Sequence, residues 1–152
     1  MDITNGDGIR VSIFLQGCKF RCKGCWNEST WDFNGGKELT KDVENKFIEL
    51  AKQSYITGVS ILGGEPFNQP PKEILSLLKN IKIKVNKPIY LWTGYEFESI
   101  PIEYIECLDY LDMLVTGRFI EELKDLKLLY RGSSNQIILR KEGMTWKKNG
   151  EI

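Results

Sequence analysis

Residues 11–27 read VSIFLQGCKFRCKGCWN. The first six form a near-continuous apolar run that ends at Gly17, the pattern of a strand buried on both faces. Immediately beyond it, Cys18, Cys22 and Cys25 fall in a C-x3-C-x2-C spacing. A strand that runs straight into three soft ligands places them in the turn at its carboxyl end. Three thiolates leave zinc one ligand short. On a cubane iron–sulfur cluster they leave one iron open to bind a substrate. The ligand is the thiolate, whose free pKa is about 8.5, and Lys19, Arg21 and Lys23 are expected to help keep the cysteines ionised.

Other uses of the cysteines compete with this one. The fourth, Cys107, is distant and flanked by apolar residues, which reads as a small buried side chain. Histidine, the usual substitute zinc ligand, is absent from the 152 residues. A redox dithiol at Cys22 and Cys25 leaves Cys18 unused. A disulfide framework fits less well, because three cysteines crowd one turn and no secretory signal is read before them. On the triplet alone an open iron–sulfur site stands ahead of zinc, and zinc remains open.

Outward from the cysteines, apolar runs alternate with helical patterns. Thr40 is a candidate N-cap, with Val43, Phe47, Leu50 and Ala51 following on one helical face. Residues 59–62 read as a second strand, broken by Gly63-Gly64. Pro70-Pro71 then opens a second helix marked by Ile74, Leu75, Leu78 and Ile81. Further strands are expected at residues 88–92, 113–115 and 137–139, with a short helix around residues 102–107. This is the βα pattern of a parallel sheet, whose right-handed crossovers bring every turn after a strand to one edge. Ligands bind at that edge in open α/β folds. The cysteine turn, Gly63-Gly64-Glu65-Pro66, Thr93-Gly94-Tyr95 and Thr116-Gly117-Arg118 are therefore expected to gather there. The chain is read as a single domain over residues 1–152, well short of the roughly 250 residues of a complete eight-unit barrel. An incomplete, open parallel β/α barrel of about five to six units follows as the expected fold class.

With 21 basic and 21 acidic residues the net charge is zero, so no global field favours nucleic acid or a membrane surface. No apolar run approaches the roughly 20 residues that span a bilayer, and the cytoplasm is the expected compartment.

The cysteine triplet, with Trp26 and Asn27 beyond it, resembles the signature of the radical S-adenosylmethionine (SAM) superfamily. Gly63-Gly64-Glu65-Pro66 is similar to that superfamily's methionine-binding turn. More narrowly, GDGIRVSIFLQGC, WNESTWDFNGG, SILGGEPF, LWTGYEFE, DMLVTGRFIEELKD and RGSSNQII, in that order, resemble the activating proteins of anaerobic (class III) ribonucleoside-triphosphate reductases. The resemblance implies a radical SAM type of open barrel. It implies a 4Fe-4S cluster on Cys18, Cys22 and Cys25, with SAM chelated at the open fourth iron. Reductive cleavage of SAM would give a 5′-deoxyadenosyl radical, which installs a glycyl radical on the reductase. The partners implied are that reductase and a low-potential electron donor such as flavodoxin or ferredoxin.

For the cofactor-binding residues, the resemblance implies that Gly24, Cys25 and Trp26 line the adenine side. It implies that Gly63, Gly64 and Glu65 receive the methionine end, with Gly64 offering main-chain polar atoms. Thr93 is either a ligand-facing hydroxyl or a satisfied turn hydroxyl, and Trp26 either a stacking surface or a core anchor. Arg10 matches a family position near the cluster mouth, although a solvated charge at a strand start reads the same. Where the family commonly has an acidic residue after the fourth strand, this chain has the uncharged Thr116. Two other readings are carried: an activase of another glycyl-radical enzyme, and a non-catalytic iron–sulfur or zinc module.

Overall fold

A computed structural model describes residues 1–149; residues 150–152 of the expected single-domain span lie outside the described residues. Six strands form one sheet in sequential order: β1 (Arg10–Leu15), β2 (Gly58–Gly63), β3 (Ile89–Trp92), β4 (Met113–Thr116), β5 (Ile137–Glu142) and β6 (Thr145–Lys148). The first four are parallel, with Val11 opposite Val59, Val59 opposite Ile89 and Tyr90 opposite Met113. Crossovers run through α1 (Lys41–Ala51), α2 (Pro71–Val85) and a 3-10 helix, Ile102–Tyr110. The sheet is open, since β1 and β6 lie at its two ends.

The expectation of five to six parallel units is corrected here. β5 runs antiparallel to β4, and β6 returns antiparallel to β5. Three successive crossovers build the parallel part, and a hairpin closes the chain. Gly143, at φ +61°, turns that hairpin.

Both α-helices are set by their ends. Thr40 Oγ1 accepts from Val43 N and caps α1. Pro71 occupies the first turn of α2, where its missing N–H is no loss, and Asn86 at φ +52° ends it in the left-handed conformation. The buried face of α1 differs from the expected one. Ile48 and Ala51 are buried and Phe47 packs against them, whereas Val43 and Leu50 are exposed.

Strand alternation divides the sheet into two faces. Val11, Ile61, Leu91 and Leu114 pack against Ile48, Leu78 and Ile81 of the helices in the main core. On the other face Tyr90, Met113, Val115 and Ile138 form a smaller cluster with Trp92 and Tyr130. Cys107 is buried on the helix side, where burial pushes its thiol up to about 11.

Arg10 is neither solvated nor at the cluster mouth. It is 1% exposed and starts β1, at the edge opposite the cysteine turn. Its Nε donates to Ser60 Oγ at 2.8 Å and its Nη2 to the carbonyls of Val59 and Pro88, while its guanidinium lies 3.7 Å from the centre of the Tyr90 ring. Asp7 completes this layer by accepting from Tyr90 Oη, Tyr130 Oη and Arg140 Nη2. The N-terminal segment is thereby tied to β3, to β5 and to the connection before β5.

Candidate functional site

The turns after all four parallel strands line one cavity of about 560 Å³. Cys18, Cys22 and Cys25 border it, as do Gly63-Gly64-Glu65, Thr93-Gly94 and Gly117-Arg118. Its volume falls within the roughly 300–1,000 Å³ typical of small-molecule sites. Phe14, Leu62 and Trp92 project from the face away from the helices and supply an apolar wall.

Main-chain hydrogen bonds fix the cysteine turn. Gly17 N donates to Thr30 O at 2.7 Å and Cys18 N to Trp31 O at 3.1 Å. Glu65 N donates to Gly17 O and Gly64 N to Leu15 O, each at 2.8 Å, so the glycine turn is stitched to the cysteine turn. Gln69 Nε2 reaches Gln16 O, and Asn68 Oδ1 accepts from Lys19 N. A Cβ on Gly63 would stand 2.5 Å from Leu15 N, and one on Gly64 would stand 2.5 Å from Gly17 O. Close approach of these two turns therefore requires glycine at both positions.

The three site thiols are free. Burial pushes the Cys18 thiol up. It does the same to Cys22, where the neighbouring Cys25 adds to the rise. Protons are thus held more tightly than the flanking cations led one to expect. Lys23 is drawn away to Glu121, 3.2 Å distant, and the side-chain cation that lowers Cys22 is Arg118. Among the described residues, no three His, Cys, Asp or Glu side chains form a group that would hold a single metal ion.

Glu65 is 1% exposed. Its Oε1 accepts from Phe67 N at 2.9 Å and Thr93 Oγ1 at 2.8 Å, and its Oε2 accepts from Gly94 N at 2.7 Å. Burial raises its pKa to about 7 against the lowering pull of those three donors. Thr93 Oγ1 also accepts from Tyr95 N, so this hydroxyl is satisfied within the turns. The side-chain polar atoms of both residues act on the turns around the cavity.

Trp26 borders the cavity and is 60% exposed, which removes the core-anchor reading; Lys124 Nζ lies 5.1 Å from its ring centre. Gly24 is not among the lining residues. Its φ of +70° turns the chain, and a Cβ there would meet the Glu121 carboxylate at 2.7 Å. Thr116 is buried, with its hydroxyl directed to Ile137 O at 3.4 Å.

Arg118, in a turn expected at this edge, lines the cavity, as do Trp31 and Arg131, to which sequence reasoning gave no role. Arg118 stacks over Phe20, its guanidinium 4.4 Å from the ring centre. Trp31 Nε1 and Arg131 Nε are buried N–H donors without a partner. Trp31 lies in WNESTWDFNGG and Arg131 in RGSSNQII, two of the segments that carry the resemblance, and that is the signal that would have singled them out.

Comparison with known proteins agrees on one relationship. Residues 4–139 match the family described as a 4Fe-4S single cluster domain. The chain is similar to the anaerobic ribonucleoside-triphosphate reductase-activating protein of Salmonella typhimurium, 39% identical over 142 residues that cover 91% of this chain and 92% of that protein. The protein of the same name in Vibrio cholerae is 39% identical over 92% of this chain and 93% of its own length. That of Enterobacteria phage T4 is 37% identical over 96% and 93% respectively.

Proposed function

Because the chain belongs to the family of anaerobic ribonucleoside-triphosphate reductase-activating proteins, we propose that it activates such a reductase by installing a glycyl radical on it. The observation that carries this reading is the meeting of three free thiols and the glycine turn at one cavity, in a chain that matches an iron–sulfur domain over residues 4–139.

In this reading Cys18, Cys22 and Cys25 hold a 4Fe-4S cluster with one open iron. Cubane ligands each bind a different iron, and Cys18, Cys22 and Cys25 all border the cavity. When bound, cluster and SAM would supply the hard chemistry, a one-electron reductive cleavage of the sulfonium–C5′ bond whose outcome is removal of a hydrogen atom from a glycine Cα, the electron coming from a low-potential donor. Methionine, 5′-deoxyadenosine and a glycyl radical are the products.

The protein's own work is position and exclusion of water. Gly63 and Gly64 line the cavity and would offer main-chain polar atoms to the methionine end, and Cys25 and Trp26 border the adenine side. Glu65 and Thr93 hold the two turns against each other. Phe14, Leu62 and Trp92 form a wall without exchangeable polar groups, apart from an indole N–H that donates to Tyr130 O at 2.7 Å. Four parallel strands in sequential order, with the site at their carboxyl edge, support an incomplete radical SAM barrel carried by a single domain over residues 1–152. Flavodoxin or ferredoxin suits the electron donor, and the cytoplasm suits both partners. Among the described residues no helix is long and apolar enough to cross a membrane.

The test is anaerobic mixing of the cluster-loaded, reduced protein with SAM and the reductase. Expected are a glycyl doublet by electron paramagnetic resonance and about one 5′-deoxyadenosine per glycyl radical formed, as a positioned radical hands over stoichiometrically. If 5′-deoxyadenosine forms and only a different glycyl-radical enzyme acquires the signal, the reductase is the wrong partner. If none forms, the chemistry itself is wrong.

A further inference from the structure

Four arginines meet the face of the sheet that carries the cavity or its rim, and three have evident partners. Arg10 is buried among Ser60 and two carbonyls, Arg140 pairs with Asp7, and Arg118 covers Phe20. Arg131 differs. It lines the cavity, and its Nε is buried without a hydrogen-bond partner. Its Nη1 donates to Gln136 O at 2.9 Å. Among the described residues no carboxylate lies within ion-pairing distance of it.

Because Nη1 is spent on Gln136, the Nε–Nη2 edge of the guanidinium remains. That edge presents two parallel N–H groups, the geometry that receives a carboxylate through both oxygens. Arg131 is only half-buried, but its buried Nε–H is a donor left unused, which is unfavourable unless an acceptor meets it, and a carboxylate is the acceptor that suits a guanidinium. The cavity's own acidic groups do not serve: Glu65 is tied to Phe67, Thr93 and Gly94, and Asp125 is exposed. Trp31 Nε1, the other unpartnered donor, is neutral and cannot balance a charge.

The surrounding chain holds Arg131 ready. Gln136 Oε1 accepts from Gly132 N at 2.8 Å and Ser133 N at 3.2 Å, and its Nε2 donates to Gly117 O at the end of β4. On the other side, Tyr130 sits at φ +58°, its hydroxyl on Asp7 and its carbonyl on Trp92 Nε1. Both neighbours of Arg131 are thus pinned, and a donor fixed before binding loses little freedom on binding.

Resting on the reading of the cavity as a SAM site, we propose that Arg131 binds the methionyl carboxylate of the cofactor through its Nε–Nη2 edge. The proposal gives the RGSSNQ segment a role: it is the turn that positions this guanidinium.

Equilibrium dialysis under anaerobic conditions, with the cluster-loaded protein, tests it using SAM and decarboxylated SAM, which lacks only the carboxylate. Arg131→Gln is expected to weaken SAM binding about 10- to 100-fold, the range for a charge-assisted bond, and to leave decarboxylated SAM within about two-fold. Arg131→Lys, which keeps the charge and loses the fork, is expected to show a smaller loss for SAM alone. Iron and sulfide content confirms that each variant holds its cluster, and Arg131→Lys carries the comparison if Arg131→Gln does not. Equal losses for both ligands, or no loss for SAM, overturn the proposal. Failure of the unaltered protein to bind SAM overturns the reading of the site, and this inference with it.

Discussion

Thr93 Oγ1 donates a hydrogen bond to Glu65 Oε1 at 2.8 Å, joining the turn after β3 to the turn after β2. Gly94 N adds a second link to the same carboxylate and Phe67 N a third. A carboxylate buried to 1% exposure can accept all three, whereas an amide cannot, because its NH2 would face an N–H. Glu65→Gln is therefore expected to lower stability by about 1–3 kcal/mol, read from urea unfolding of the reduced, metal-free protein.

Acidity gives the same residue a second signature. Burial raises the Glu65 pKa from 4.5 to about 7, so the folded state binds its proton more tightly than the unfolded state does. The associated stability is fully present below 4.5 and is lost as pH rises through about 7. At about 1.4 kcal/mol per pKa unit, the decline amounts to roughly 3 kcal/mol. Unfolding measured at several values across that window should show the decline in the unaltered protein and not in Glu65→Gln. Parallel pH profiles would remove Glu65 as its source.

Asp7 acts in the opposite sense at the far edge of the sheet. Hydrogen bonds from Tyr130 and Tyr90, with the charge of Arg140, hold its carboxyl below the ordinary 3.8. Its contribution is present above 3.8 and lost as pH falls through the lower folded value. Asp7→Asn should destabilise the protein at neutral pH by about 1 kcal/mol, a discounted figure because the side chain is 55% exposed. The gap between variant and parent should close in acid. Since Tyr130 adjoins Arg131, the variant should also loosen amide protection of residues 130–132, read by hydrogen exchange. A gap that widens in acid would mean that Asp7 is not bound in its ionised form.

Ligation is decided by four single substitutions. Cys18, Cys22 and Cys25 border the cavity, while Cys107 is buried at 1% exposure in the helix-side core. Changing any of the first three to Ala should abolish the reconstituted cluster, measured as iron and sulfide. Cys107→Ala should keep it and lose only on the order of 1 kcal/mol of stability to a small void. Loss of cluster from the Cys107 variant would count against three-cysteine ligation.

Local sequence carried the parallel half of the fold because each of its strands is an apolar run ended by a glycine-bearing turn, and each crossover is amphipathic or proline-led. Direction is what residues 137–139 could not convey. Three apolar residues pair equally well either way, and the hairpin that fixes β5 depends on Gly143 beyond them. The cysteines and the glycine turn were legible as short motifs. Arg10 was misplaced because its partners Ser60 and Pro88 lie 50 and 78 residues away, and no local pattern encodes them. Arg131 is legible only from what it lacks, which needs every neighbouring donor and acceptor in place.

Gly64 separates packing from ligand approach. A Cβ at this position would lie 2.5 Å from Gly17 O and 2.9 Å from Thr30 O, both main-chain atoms that cannot rotate aside. Gly17 N is bonded to that same Thr30 O, and Cys18 follows directly, so a shift here moves the first cysteine of the triplet. Gly64→Ala is therefore expected to cost about 1–3 kcal/mol of stability, as overpacking does, and to reduce the cluster content of the reconstituted protein as well as SAM binding. Gly143→Ala is the control: at φ +61° with nothing within 4 Å of a Cβ, it carries backbone strain alone, on the order of 1 kcal/mol, and should leave cluster content unchanged. If Gly64→Ala retains full cluster and loses only SAM affinity, the glycine serves the ligand rather than the contact between the two turns.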